Sequence, residues 1–378
     1  MRKYLLIILT FCSVSSTLLS QAITLPPSGD NQRCSVTQHI GSLVTVTVDY
    51  SSPDVTGPGG ENRTGKIWGQ LVPYGLTDLG FGPRTPAPWR AGANESTTIN
   101  FSHDVIIDGK PLSAGKYGLF LIVEATGPWT WIFSKNNTAW GSFFYNEKDD
   151  ALRVQVQTQE HAHTEWLTYT FTDRDPAEAT LELQWELKSI PLHIAVPNMN
   201  DHYIAQIDRE LESSPGFTSA NYAAAANFLL QENYKLDKAL LWATASTDMP
   251  FIGQQTFINV TTKANVLLKM GKKEEAMASF TSAMKLSDAD PGTVHQLGRG
   301  LIGQGEKEIA LQVFQMNYDN HNGAWPTKVG MARGLSAVGR YDEAATYAEA
   351  ALAEAPDDVN KKNLSGMVEK LKSKQDVN

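Results

Sequence analysis

The chain changes its hydrophobic rhythm once. Between about residues 43 and 190 apolar and polar positions tend to alternate; beyond about residue 200 apolar positions recur at helical spacing. Leu43-Val44-Thr45-Val46-Thr47-Val48-Asp49-Tyr50 alternates and is rich in β-branched residues, the pattern of a strand with one buried face. The same signal predicts strands at 97–101, 105–107, 117–123, 129–133, 152–157, 165–172 and 179–190. Turn formers such as Asp108-Gly109-Lys110, Thr126-Gly127-Pro128 and Asp173-Arg174-Asp175-Pro176 separate them. Short strands with no helical stretch between them predict an all-β antiparallel sandwich over residues 30–197.

One stretch breaks that rhythm. Residues 51–89 hold six prolines and eight glycines, with Trp68, Tyr74, Phe81 and Trp89 among them. Ordering so long a loop costs chain entropy, so it needs a reason. Its aromatic residues either cover the open end of the sandwich or wall a binding site.

Residues 198–378 predict an all-α unit with an internal repeat. Gly271, Gly305 and Gly339 lie 34 residues apart, as do Ala276, Ala310 and Ala344, and Ala264, Gly298 and Ala332. Phe280 and Phe314 keep the spacing, with Ala348 in the third copy. A 34-residue period with small residues at fixed places predicts a tetratricopeptide-like array of helical hairpins. Small residues let paired helices approach, and the glycine ends the first helix of each pair. A degenerate pair precedes the repeats at 222–231 and 236–245, a further helix is expected at 201–212, and residues 359–372 form a terminal cap. Such a stack either presents a groove to a protein partner or serves as a scaffold alone.

Composition sharpens this division. Seven of the nine tryptophans lie between residues 68 and 185, while alanine crowds the last 180 of the 378 residues. Net charge is −9, and neither domain is basic or carries a basic tract, which argues against nucleic acid as a partner. Arg2 and Lys3, an apolar run Leu5–Phe11 and the small-x-small site Ser20-Gln21-Ala22 form a secretory signal over residues 1–22. The apolar run is too short to span a membrane, and nothing later approaches that length. The mature chain is thus expected to be soluble and exported, periplasmic or secreted. Cleavage after Ala22 removes Cys12 and leaves Cys34 with no partner for an internal disulfide.

Several runs in the first domain resemble the signature of domain-of-unknown-function family 2911. They are Lys66-Ile67-Trp68-Gly69-Gln70-Leu71-Val72-Pro73-Tyr74-Gly75, Trp89-Arg90-Ala91-Gly92-Ala93-Asn94-Glu95-Ser96-Thr97-Thr98-Ile99, Leu112 to Phe120, and Trp129-Thr130-Trp131-Ile132-Phe133. The resemblance spans about residues 33–196 and implies an exported bacterial protein, with no activity to carry over. Three departures stand out: an inserted loop from Thr77 to Ala87, Ser51-Ser52-Pro53 after the first strand, and Ser134 where the family tends to have asparagine.

The polar cluster Arg90, Asn94 and Glu95, flanked by Trp68 and Trp89, is the candidate ligand site. Arginine offers a planar fork for a carboxylate or phosphate, so a small anion or a glycan fits such a group. The alternative is a structural knot in which Arg90 pairs with Glu95, Asp49 or Glu165. A weaker candidate is metallic: His161, His163 and Glu165 share one face of a regular strand. The sequence carries no Gly-x-Ser-x-Gly elbow, P-loop, dinucleotide fingerprint or His-Glu-x-x-His helix, so neither catalytic residues nor a cofactor are assigned. The expected function is a non-catalytic binding or scaffold protein, with an enzyme built on the Arg90/Glu95 or histidine cluster as the alternative.

Overall fold

The computed structural model describes residues 31–378; the export signal read at residues 1–22, and Cys12 within it, lie outside the described residues. Two compact units divide between Met199 and Asn200.

The first unit contains β1 (Gln32–Ile40), β2 (Val44–Ser52), β3 (Thr98–Phe101), β4 (Val105–Ile107), β5 (Lys110–Leu112), β6 (Gly115–Ile122), β7 (Trp129–Ser134), β8 (Asp150–Val156), β9 (Gln159–Asp175) and β10 (Glu178–Ala195). They form a six-stranded sheet, β1-β2-β3-β6-β7-β8, and a four-stranded sheet, β5-β4-β10-β9. Every pairing between these strands is antiparallel. In β2 the alternation does what it predicts: Val44, Val46 and Val48 are fully buried and the threonines between them are not. Both sheets contribute to one core, in which Trp131, Phe133, Leu183 and Trp185 are buried side chains.

Two strands escape the hydrophobic pattern. β1 is a mostly exposed edge strand, and only Ile40 is fully buried along its length. An edge strand gains its hydrogen bonds from one neighbour, here β2, and needs little apolar surface. β5 is three residues long, too short to show any period.

The second unit is a run of helices: α1 (Met199–Leu211), α2 (Ser219–Gln231), α3 (Leu236–Asp248), α4 (Phe257–Lys269), α5 (Lys273–Ala283), α6 (Pro291–Gly303), α7 (Lys307–Asn320), α8 (Trp325–Ala337), α9 (Tyr341–Ala353) and α10 (Asp358–Lys372). The repeated glycines end α4, α6 and α8 in the same way. Gly271, Gly305 and Gly339 take φ of 78°, 85° and 80°. The next N–H in each case reaches back to the helix, from Lys272 to the Leu267 carbonyl, Glu306 to Leu301 and Arg340 to Leu335. This closure satisfies carbonyls that the helix end leaves unpaired. In the degenerate pair Asn233, at φ 50°, takes the glycine's place, and Tyr234 N–H closes onto the Leu229 carbonyl.

Ala264, Ala276, Ala310, Ala332 and Ala344 of the repeat are fully buried and Gly298 is buried, and Phe314 shows why such positions must be small. A Cβ placed on Gly298, Gly330 or Gly334 would come within 2.5, 2.6 or 2.9 Å of its ring. One aromatic side chain thus fills a space that three glycines open between α6, α7 and α8. Removing it leaves a cavity that the glycines cannot close. Phe314→Ala is expected to destabilise the helical unit by about 3–5 kcal/mol in urea denaturation. Val359→Ala, at a 70% exposed position, is expected to change stability by less than about 0.5 kcal/mol.

Candidate functional site

The connection from β2 to β3 builds a cleft of the sandwich. It buries Val55, Ile67, Val72 and Ala91 in the core. Backbone hydrogen bonds tie it down from Val55 N–H to the Glu165 carbonyl (2.9 Å), from Gly75 N–H to Val123 (2.8 Å), and reciprocally between Trp89 and Leu121. Trp68 packs edge-on against Trp89, Trp129 and Trp185, with ring centroids 5.7, 4.8 and 5.7 Å away. Trp89 and Trp185 stack at 5.9 Å. The loop therefore contributes to the core and walls a cleft of about 420 Å³.

Arg90 is held at this cleft by a tight turn. Ala91 and Asn94 both adopt left-handed backbone, at φ 50° and 56°. The turn is fixed by Trp89 Nε1–H donating to the Gly92 carbonyl, Ala93 N–H to Ser51, and the hydroxyls of Thr97 and Tyr169 to the Ala91 carbonyl. One guanidinium nitrogen of Arg90 donates to the Asn94 carbonyl. The guanidinium also lies over the Phe143 ring, 5.2 Å from its centroid, and against Gly141, where a Cβ would come within 2.4 Å of it. Burial pulls the Arg90 pKa below its ordinary value.

The expected ion pairs of Arg90 do not form. Glu95 is exposed, accepts a hydrogen bond from Ser51 Oγ at 3.1 Å and pairs with Arg33 at 3.6 Å. Asp49 pairs with Lys116. Glu165 accepts the Thr56 N–H at 2.7 Å and meets His163. Arg90, Asn94 and Trp89 line the cleft together, whereas Trp68 supports it from the indole cluster and Glu95 is not among its lining residues. The left-handed residues redirect the chain, so neighbours in sequence do not share a site. Reasoning from sequence missed Asp54 and Arg63, which join across the cleft wall in an ion pair at 3.3 Å, and Trp185.

His161, His163 and Glu165 do not converge. Two register shifts interrupt β9 here, one between the pairs Gln184–Thr168 and Glu186–Thr164 and one between Glu186–Thr164 and Lys188–Glu160. His163 Nε2 meets Glu165 Oε2 at 3.1 Å, while the His161 ring nitrogen lies against the Ala162 carbonyl and Thr164. Among the described residues no three histidine, cysteine or acidic side chains are grouped to hold a metal ion. Glu95 thus pairs away from Arg90, and His161 away from His163 and Glu165. No helix among the described residues is long and apolar enough to cross a membrane.

The helical unit has a cleft of its own, about 280 Å³, lined from α6, α8 and α10, the first helices of successive hairpins and the cap. His295, Trp325, Arg333 and Asn363 are among its walls. His295 Nδ1 and Arg333 Nε are buried there without a hydrogen-bond partner. Arg299 and Arg333 occupy the same place in consecutive repeats, 34 residues apart, a signal the sequence carried and periodicity of apolar residues alone did not reveal. Beside them the chain folds back after α10. Arg333 Nη1 donates to the Val377 carbonyl at 3.0 Å, Ser336 Oγ to Asp376 Oδ1 at 2.8 Å, and Val377 N–H to Ser336 Oγ at 3.1 Å.

Burial, with Arg333 and Arg299 nearby, lowers the His295 pKa to about 4, against a weaker opposing pull from the Pro326 backbone. The unfolded chain binds this proton near pH 6.5 and the folded chain only near about 4. Stability is thus fully present above pH 6.5 and is lost as the pH falls towards 4. Between pH 7 and pH 4.5 the loss traceable to His295 is expected to be about 2–3 kcal/mol. Urea denaturation of the wild type and of His295→Gln checks it: the variant should lose that much less over the same interval.

Two solved structures similar to this chain are tetratricopeptide repeat proteins. One is YrrB, described as a TPR protein with an unusual peptide-binding site: 18% identical, covering 44% of this chain and 84% of that one, at a TM-score of 0.27. Another is a tetratricopeptide repeat protein from Parabacteroides merdae ATCC 43184: 17% identical, covering 44% of this chain and 66% of that one, at a TM-score of 0.28. No curated protein matches the chain. In the sandwich, residues 31–194 match the family model described as protein of unknown function (DUF2911).

Proposed function

We propose that this chain is a non-catalytic binding protein, exported to the bacterial envelope, whose helical unit holds a protein partner on the face made by α6, α8 and α10. One observation carries this reading: α8, which contributes Arg333 to that face, already takes a peptide segment, residues 376–378 of the same chain. Arg333 and Ser336 offer a backbone carbonyl and a carboxylate their hydrogen bonds, and Val377 packs on the hydrophobic core of the helices. The exposed Arg299 adds a positive charge beside a cleft whose buried polar atoms are not all satisfied. Unpaired buried donors and acceptors cost free energy that a polar partner segment recovers. Export rests on the pattern of residues 1–22.

The cleft of the sandwich supports a second reading, that of a small-molecule or glycan site. Its indole and proline walls, together with Arg90 and Asn94, combine apolar surface with polar groups, as ligand pockets do.

In a pull-down from an envelope extract, the wild-type chain is expected to recover a partner that Arg299→Glu loses and Arg90→Gln retains. Arg299 is exposed, so the variant is expected to keep its fold, which thermal denaturation checks. Recovery that is indifferent to Arg299→Glu removes the reading of this face as the partner site.

A further inference from the structure

We infer that the sandwich cleft takes a small carboxylate carried on a flat apolar body, with Arg90 as the residue that determines specificity. The inference rests on reading the cleft as a ligand site and adds the chemical class of the ligand.

Charge pairing decides between an anion and a neutral glycan. A cation drawn partly out of water needs a compensating anion, and inside proteins such charges are usually paired. Every acid that sequence places near Arg90 is committed elsewhere: Glu95 to Ser51 and Arg33, Asp49 to Lys116, Glu165 to Thr56 and His163. At the cleft itself Asp54 is taken by Arg63, whose guanidinium also donates to the Val55 and Asp54 carbonyls. Among the described residues Arg90 therefore makes no ion pair, and its contacts are the Asn94 carbonyl, the Phe143 ring and Gly141.

Those contacts hold the guanidinium and use only one of its nitrogens as a donor. One nitrogen donates to the Asn94 carbonyl, and the guanidinium carbon lies 5.2 Å from the Phe143 ring centroid and close to Gly141. The planar fork suits a carboxylate, which it can meet with two parallel hydrogen bonds. A doubly charged phosphate would call on further cations, and the other arginine at the cleft is already paired. The rest of the wall offers such a body apolar surface: Trp89 and Trp185, stacked on each other, line the cleft with Pro73, Pro88 and Leu79.

The test uses phenylacetate, its neutral amide phenylacetamide and inorganic phosphate as probes, with binding to the full chain read by tryptophan fluorescence and calorimetry. Phenylacetate is expected to bind the wild type at least tenfold more tightly than the amide. Arg90→Gln is expected to remove that preference. Gly141→Ala is expected to weaken phenylacetate by a similar factor, because the added Cβ displaces the guanidinium. The acid–amide comparison needs no variant, so it stands even where a substitution disturbs folding. Equal binding of acid and amide overturns the carboxylate assignment and leaves the cleft as a site. Binding of phosphate in place of phenylacetate overturns it too. No binding of any probe to the wild type overturns both the assignment and the reading of the cleft.

Discussion

Between β2 and β3 the sandwich carries a connection of some 45 residues without a regular strand, and ordering it costs about 1–2 kcal/mol of backbone entropy per residue. The packing of Trp68 against Trp89, Trp129 and Trp185 is the interaction on which its position depends. Trp129 belongs to β7 and Trp185 to β10, one in each sheet, so the loop's two indoles are held by both layers of the sandwich. Trp89 precedes Arg90 directly. Where the indole goes, the guanidinium follows, and the turn at Ala91 and Asn94 then carries Glu95 away from it. The indole cluster thus produces the local composition of the cleft: a fixed cation, aromatic walls and no acid paired with that cation.

The helical unit meets the opposite packing demand. There the backbone must come close, and the residues at the contacts are alanine and glycine, with Phe280 and Phe314 as the fillers. The contrast explains the distribution of tryptophan and alanine along the chain. Two sheets leave a wide interior that large rings fill, while paired helices reward side chains small enough to let them approach.

Much of this was legible in the sequence because it repeats. Alternation in Val44–Tyr50 and the 34-residue period of Gly271, Gly305 and Gly339 each signal a regular structure, and both appear as the antiparallel sandwich and the helical hairpins. The polar edge strand β1 gave no such signal, since its hydrogen bonds and not its side chains hold it in place. Arg90, Asn94 and Trp89 were identifiable as a group because they lie on one short run. Their partners were not, because left-handed residues at Ala91 and Asn94 decide which side chains meet. The same limit undid the histidine cluster: strand alternation places His161, His163 and Glu165 on one face only while the register of β9 holds, and it shifts there. The segment that folds back onto Arg333 and Ser336 depends on a left-handed Lys374 after α10, where glycine would have announced the turn.

The dependence of the cleft on the indole cluster is most directly tested by hydrogen exchange and limited proteolysis of Trp68→Ala. Losing the ring is expected to cost about 3–5 kcal/mol locally. The predicted result is rapid exchange and new cleavage within residues 76–87, with the amides of α4 to α9 exchanging as in the wild type. Unchanged protection of residues 76–87 in that variant would contradict the account, because the loop would then be held by something other than its tryptophans.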